Sequence, residues 1–454
     1  MNTLWRKTLR DLWLYKARTV LVVLAIAVGT ASAGVATTSL IVLRRDLRAG
    51  FLGTNPAHAV LDVAGAIPID ETLAEQVAAL PEVGDAVARR MTPARLALPG
   101  GEERFLQLWT LPDFDSPVAA LYPQPGAVVP PPGSLLLERS AAPVLGIAAG
   151  DTVTVRLLDG DAAELTVAGF VNDLSVAPTT VQPGVYGYMT GATAAQLGLP
   201  EGYNQLHLTV AAPSPDRAAV ESAVTAVTEW LEGESVIVTR AAIPEPNVHI
   251  MQGSVDTGLL MIGILGVLTL VLSAFLVTNV MSAVVAQQVP IIGVLKALGS
   301  GRGLVLRQYG RMVALFGLMA LALAVPLGLM GAWFMSNTLA GQLNYDIPSF
   351  GLPWQTVAVQ LVGALAIPAL AALGPVRAAG NLTIREAFNQ TGNSENGTRG
   401  ENTSPLNSYF ASRISHLVAW RNVGRRKLRL ALTLVGLSLA GAIFIATFGL
   451  KLGL

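Results

Sequence analysis

Residues 287–311 read QQVPIIGVLKALGSGRGLVLRQYGR, and they stand between two uncharged runs, TGLLMIGILGVLTLVLSAFLVTNVMSAVV at 257–285 and MVALFGLMALALAVPLGLMGAWFM at 312–335. Each run exceeds the roughly 20 residues that a helix needs to cross about 30 Å of hydrocarbon. The stretch between them holds Lys296, Arg302, Arg307 and Arg311 and no acid. Two apolar helices joined by a short basic segment mark a multi-pass membrane protein with that segment in the cytoplasm. Within it, Pro290 is expected to open a short helix over IIGVLKALG, and Gly299, Ser300 and Gly301 to end it. The result is an amphipathic helix too short to span. It lies among lipid headgroups or docks a cytoplasmic partner, and composition does not separate the two.

Three further spans lie outward from this stretch. The first lies between Arg18 and Arg44, centred on VLVVLAIAVGTASAGVATTSL at 20–40. It is about twice the length of a signal-peptide core, so it is expected to be retained. The fourth runs from Trp354 to Val376, with Pro368 inside and Pro375 at its end, and a fifth starts after Arg429. The whole chain agrees: 454 residues, 52% hydrophobic, 13% charged, mean hydropathy +0.53. That balance excludes an ordinary soluble protein. Cysteine is absent, which removes disulfides, thiolate metal sites and cysteine nucleophiles.

The formal net charge is zero, yet the charges are segregated. Leu43 to Val255 holds 11 arginines, no lysine and 24 acids, a net of −13, and the remainder holds 19 basic residues against 6 acids, a net of +13. The basic clusters lie before span 1, between spans 2 and 3, and after span 4, and all three belong on the cytoplasmic side. The acidic segment is then extracytoplasmic. Arg44, Arg45 and Arg48 run against this rule, and a first helix that continues beyond the membrane would carry them into water. Orientation explains the basic residues, and nucleic acid is not called for.

The acidic segment alternates strands and amphipathic helices. HAVLDVAG at 58–65 reads as a strand and IDETLAEQVAALP at 69–81 as a helix with Asp70 and Glu71 at its start. DTVTVRLLDGDAAELTVAGFV at 151–171 is a hairpin turning near Asp159 and Gly160, and NQLHLTVAA, PDRAAVESAVTAVTEWL and SVIVTR give strand, helix, strand. These elements imply an α+β domain, with two subdomains divided by the proline-rich PQPGAVVPPPG at 123–133. No chemistry is legible in it. His58, His207 and His249 are scattered without metal-ligand spacing, no GxSxG elbow occurs, and the carboxylates read as a solvated surface.

The expected fold class is therefore an α-helical integral membrane protein, four complete spans plus a fifth, with a large α+β extracytoplasmic domain inserted between spans 1 and 2. The expected divisions are 1–43 (N-terminus and first span), 44–255 (extracytoplasmic domain), 256–380 (spans 2–4 with a coupling helix at 287–300), 381–415 (closing motif and linker) and 416–454. The linker contains NQTGNSENGTRGENTSPLNS, of flexible composition. After it, RNVGRRKLRLAL at 421–432 can be laid over RDLWLYKARTVL at 10–21 with four identities in twelve, as if a second unit begins. No Asp, Glu, Lys, Arg or His lies in the middle of any of the four complete spans, which disfavours an ion-coupled transporter. Ser273, Thr278 and Asn279 are expected to bond between helices.

GVLKALGSGR at 293–302, flanked by long uncharged helices, resembles the coupling segment of FtsX/MacB/LolC-type ABC transporter permeases. PVRAAGNLTIREAFN at 375–389 resembles that family's closing pattern, and AWRNVGRRKLRLAL resembles the start of a second permease unit. The layout of one span, a large outer domain and three spans also matches, and the outer units resemble a MacB-like domain. The chain departs from the pattern at Pro290 and Ile291, where the family often has an Arg-Glu pair.

The resemblance implies a non-catalytic permease subunit of the cell membrane. It would couple ATP hydrolysis on a cytoplasmic ABC ATPase dimer to movements of the outer domain, for export or extraction of lipoproteins, peptides or amphiphiles, or for mechanotransmission alone. Gly293, Val294, Leu295, Lys296, Ala297, Leu298 and Gly299 would form the coupling helix, with Val294, Leu295, Ala297 and Leu298 in apolar contact and Lys296 in charge contact. Pro375, Arg377, Arg385 and Glu386 would form the closing motif. A second permease unit or a homodimer, and membrane lipids, are the other implied partners. The chain itself is expected to bind no cofactor or metal: it has no GxxxxGK[ST] sequence to cradle phosphates, so ATP and Mg belong to the partner. The competing readings are a membrane-anchored extracytoplasmic binding or sensor protein without an ATPase, and a membrane enzyme.

Overall fold

The computed structural model describes residue 10, residues 12–381 apart from 65–68, 99–100, 125–128, 159, 161 and 213–214, and residue 383. Arg385 and Glu386 of the closing motif, the linker, the second copy of the internal match and the fifth span lie outside the described residues. The described chain divides into two compact units: residues 39–260 with 332–351, and a helical unit that includes residues up to 38, 261–331 and 352–381.

Among the described residues, four helices are long and apolar enough to cross a membrane. They are α1 (Lys16–Gly53), α6 (Gln252–Ala297), α7 (Arg302–Gln342) and a fourth assembled from α8 (Trp354–Leu361), a π-helical turn (Val362–Ala366) and α9 (Ile367–Asn381). At 1.5 Å per residue the first three are roughly 55–70 Å long, about twice the hydrocarbon thickness. Each therefore extends well past a bilayer at one or both ends.

In the helical unit, Val22, Val23 and Ile26 of α1, Val277 and Met281 of α6, Val313 and Phe316 of α7, and Ala364 and Ala372 of the fourth helix share one buried core. Apolar side chains gain nothing by leaving lipid, so close approach must come from small residues. Glycine supplies it: a side chain at Gly317 would run into the carbonyl of Ala364, and one at Gly29 would press on Ser273. Gln360, fully buried, donates from Nε2 to Ala324 O at 3.1 Å, Thr38 and Thr356 share a hydroxyl bond of 2.9 Å, and Thr278 donates to Ala371 O at 3.0 Å. The interhelical role expected of Thr278 is observed. The π turn sits immediately before Pro368, which has no N–H and whose ring crowds the carbonyl four residues back, that of Ala364.

Two expectations for proline are corrected. Pro290 lies inside α6, so no separate coupling helix opens there, and Pro375 lies inside α9, which runs on to Asn381. Both helices continue because neighbouring packing offsets the lost backbone bond: Val289 and Ile292 beside Pro290, and Val376 beside Pro375, are buried.

The other unit is built on β1 (Ala59–Ala64), α2 (Glu71–Ala78), β2 (Val83–Ala97), β3 (Glu103–Leu111), β4 (Tyr122–Pro123), β5 (Ser134–Glu138), α3 (Ala141–Leu145), β6 (Thr152–Leu157), β7 (Ala162–Asn172), β8 (Val185–Thr190), α4 (Gly191–Gln196), β9 (Gln205–Val210), α5 (Arg217–Gly233) and β10 (Ile237–Ala242). Local signals place these elements. Asp70 and Asp216 cap α2 and α5 by accepting from Leu73 N and Ala219 N, each at 2.8 Å. Gly160, at φ +106°, lies in the β6–β7 turn.

The strands form one mixed sheet in the order β10-β1-β9-β2-β3-β8-β5-β7-β4, with β6 pairing β2 and β7. Two apolar cores serve it, one joining β1 and β9 to α2 and α5, the other joining β3 to β5, β6, β7 and β8. The proline-rich stretch does not divide them, because β3 precedes it in the chain and yet packs with the strands that come after it. Instead, the second lobe is inserted between β2 and β9. The 15-residue β2 makes this possible: Ala86 to Arg89 pair with β9, while Arg90 to Ala97 pair with β3.

The three arginines that run against the topology rule sit on α1, which continues to Gly53 as expected. Arg44 Nε pairs with Asp256 at 2.7 Å, and Arg45 pairs with Asp46 and donates to Ser349 O at 2.8 Å.

Candidate coupling segment

The residues singled out between spans 2 and 3 form a tight helical hairpin. The helix α6 ends at Ala297, and Gly299 takes the left-handed conformation, φ +88°. Gly299 N donates to Lys296 O and Ser300 N to Leu295 O, both at 3.0 Å. These are the two reversed bonds of a Schellman cap, which satisfies carbonyls the helix end would otherwise leave open. The next helix starts at Arg302. The expected basic loop is thus only the four-residue turn 298–301, and Arg302, Arg307 and Arg311 are helical.

The arms of this hairpin are fastened below the turn. Gln288 accepts a buried hydrogen bond from Tyr309 OH at 2.7 Å, and Ile292, Val305 and Tyr309 belong to the helical core. Neither Gln288 nor Tyr309 is marked by composition; only their pairing across 21 residues reveals the role.

On the opposite side of α6, Val294 and Leu298 are exposed, as is Ile291. Residues at i, i+3 and i+7 share one helix face, so Ile291, Val294 and Leu298 make a continuous apolar stripe, with Ala297 exposed beside it. Gly293 is buried and Leu295 half-buried, which takes Leu295 off the most exposed face. Ile291 is not among the residues expected, though its spacing from Val294 and Leu298 could have found it.

Lys296 is half-buried, and its Nζ donates to Gly380 O at 2.7 Å. The coupling and closing motifs, 84 residues apart, therefore meet through a lysine-to-carbonyl bond. Gly380 also lies against the Arg302 side chain, whose Cγ would be 3.1 Å from an added Cβ. Pro375 is half-buried and Arg377 exposed in α9. Lysine at a helix C-terminus interacts favourably with open carbonyls, so Lys296 has a structural role in addition to any contact outside the chain. No group of three or more His, Asp or Glu side chains that could hold a metal occurs among the described residues.

The fold and this hairpin define a helical membrane protein carrying an α+β domain, in chain order, between its first and second membrane-length helices. Residues 263–384, which contain the turn, the coupling motif and the first part of the closing motif up to residue 384, match the family model described as FtsX-like permease C-terminal. The resemblance read from GVLKALGSGR and its flanking helices is thus found independently. Comparison with curated proteins yields no match. Among solved structures, the chain is similar to the periplasmic region of MacB from Actinobacillus actinomycetemcomitans (12% identity, 45% of this chain, 92% of that one, TM-score 0.28). It is also similar to the extracellular domain of the noncanonic ABC-type transporter YknZ from Gram-positive bacteria (12% identity, 40% and 100%, TM-score 0.28). At those scores neither likeness bears on function.

Proposed function

We propose that the chain is the permease subunit of an ABC transporter, driven by a separate cytoplasmic ATPase dimer that holds ATP and Mg. The single observation that carries this reading is the exposed apolar stripe Ile291, Val294 and Leu298 at the rigid end of a membrane-length helix, inside the FtsX-like match. A lipid-facing helix needs no basic hairpin and no capped turn, whereas a docking knob needs both an apolar contact and a fixed shape. Closure of the ATPase dimer would press on this turn.

Two routes carry the displacement onward. Because α6 is continuous from Gln252 to Ala297, a push at its C-terminal end acts along that helix. Lys296, held on Gly380, passes the same push to α9. In this reading the N-terminus is cytoplasmic, the α+β domain is extracytoplasmic, and a second permease unit or a second copy completes the transporter. Its work is extraction or export of lipoproteins, peptides or amphiphiles, or mechanical signalling across the membrane.

The test is co-expression of the chain with candidate ABC ATPases, followed by pull-down. One ATPase should co-purify with the unmodified chain and be lost, together with its stimulated ATP hydrolysis, in the Val294→Glu, Leu298→Glu double variant, since burying two unpaired carboxylates at a contact is prohibitive. Retention of the ATPase and of activity in that variant defeats the reading.

A further inference from the structure

In the second lobe β5 is an interior strand, hydrogen-bonded to β8 on one side and to β7 on the other. Its last residue, Glu138, is fully buried. An acid so placed is ordinarily paired with a cation. The groups that donate to Glu138 are instead neutral: the backbone N and Oγ of Ser140, and Nδ2 of Asn344. The neighbouring Arg139 turns to Asp346, at 2.8 Å.

Asn344 belongs to a strap, residues 342–346, that follows from the end of α7 and lies in the same compact unit as β5. Its φ of +58°, with Tyr345 N donating to Ala340 O at 3.0 Å, makes it a left-handed helix stop, for which glycine would serve as well. The side chain does more. Its Nδ2 also donates to Asn172 Oδ1 at 3.2 Å, its Oδ1 accepts from Arg139 Nε at 2.6 Å, and its backbone O accepts from Arg139 Nη2 at 3.0 Å. Both polar atoms of the amide are thus engaged on the second lobe. Gln342 O accepts from Thr180 Oγ1 at 2.7 Å, and Tyr345 is buried. The walls around Glu138 are therefore unequal: β7 and β8 cannot leave without breaking their ladders, whereas the strap lies outside the sheet and is held by side-chain contacts.

Charge sets the condition for its release. The groups that face Glu138 are Arg139 on its own strand, Ser140 before α3, Asp173 in the turn after β7, Tyr186 and Tyr188 on β8, and Asn344 and Asp346 on the strap. Arg139 is bonded to the strap, Arg89 of β2 interacts with Asp173 and Tyr188, and Asp173 repels an ionised Glu138. Burial accordingly raises the Glu138 pKa to about 7 while the strap is in place. A neutral Glu138 can donate to Ser140 Oγ, a hydroxyl with two lone pairs that accepts from Thr179 N at 2.8 Å.

We propose that the strap is a proton-controlled latch: Asn344 closes over Glu138 while that acid is protonated, and the strap lifts from the second lobe, admitting water, when the acid ionises. With the strap lifted, Glu138 regains ordinary carboxylate acidity, so closure binds a proton. Closure is tightest below about 4.5 and weakens as pH rises through about 7. The pH of the compartment that holds the α+β unit then sets whether the end of α7 and the second lobe move together. The latch needs neither nucleotide nor ATPase, so its failure would leave the permease reading untouched.

Hydrogen exchange read by mass spectrometry on the full chain in nanodiscs, at pH 5 and pH 8 with labelling times scaled for the intrinsic rate, tests this. The reporters are the amides of Ser140 and Thr179, which donate into the Glu138 site, and peptides covering 342–346. Their protection is expected to fall roughly tenfold or more from pH 5 to pH 8, while β6 and β7 stay protected. Glu138→Gln, which cannot ionise, removes that dependence. Asn344→Gly, which keeps the helix stop, exposes the same amides at both pH values. If Glu138→Gln does not fold, the unmodified chain and Asn344→Gly decide. Equal protection at the two pH values, a loss spread evenly over the whole α+β unit, or an Asn344→Gly chain as protected as the parent overturns the proposal.

Discussion

Glu138 is fully buried at the end of β5, accepting from the backbone N of Ser140 at 2.9 Å, from its hydroxyl and from the Asn344 side chain. Desolvation outweighs these bonds and raises its pKa to about 7. Between the unfolded value near 4.5 and about 7, the unfolded chain has lost a proton that the folded chain keeps. Stability therefore falls as pH rises through that window, by as much as roughly 3 kcal/mol. His249, lowered to about 4 by burial, acts in the opposite sense: its contribution is lost as pH falls from about 6.5 through 4. Denaturation of the unmodified chain and of Glu138→Gln at pH 5 and pH 8 separates the two, and the variant should be less sensitive to the rise in pH. An unchanged pH dependence would show that Glu138 is ionised when folded. Nothing in LLLE distinguishes this glutamate from the other acids of the domain; its burial depends on Asn344, 206 residues away. By contrast, the Asp70 cap was legible, since an acid just before an amphipathic run has a local meaning. Asp70→Ala should cost about 1 kcal/mol, seen as faster amide exchange in α2.

At the level of elements, the hairpin of α6 and α7 is stiff because its turn is capped and its arms are bolted by Tyr309 and Gln288. Gly299 holds a conformation that costs an L-residue roughly 1–2 kcal/mol. A Gly299→Ala variant should consequently fray the last turn of α6, with faster exchange at Leu298 to Ser300 and weaker ATPase stimulation. Packing between helices offers a second check. Gly317→Val would drive a side chain into the Ala364 carbonyl, and the variant should melt well below the parent in the same detergent. Gly299 as a stop was readable because a glycine after an apolar run has local force. Pro290 and Pro375 misled for the same reason. Proline penalises a helix interior by about 3 kcal/mol in isolation, but long-range packing around Val289, Ile292 and Val376 decides whether that penalty breaks the helix.

For the whole molecule, the division into an acidic segment of net −13 and a remainder of net +13 predicts the orientation. Reporters fused near Gly160 and near Gly392 should report opposite sides of the membrane, the first outside and the second inside; the same side for both would refute the topology. The membrane-length helices and, in the α+β unit, the first strand and helix, the β6–β7 hairpin and the closing strand-helix-strand were legible in the sequence alone, because uncharged runs, alternation and turn residues act over a few neighbours; β2, β3, β4, β5 and β8 were not. The tertiary structure alone decided which lobe owns β3, where α6 really begins, that Lys296 rests on Gly380, and that Asn344 closes over Glu138. Those features depend on register and packing between residues separated by scores of positions. A period of two states that Leu137 and Glu138 point to opposite faces of one sheet, but only the assembled chain determines what comes to lie over each face.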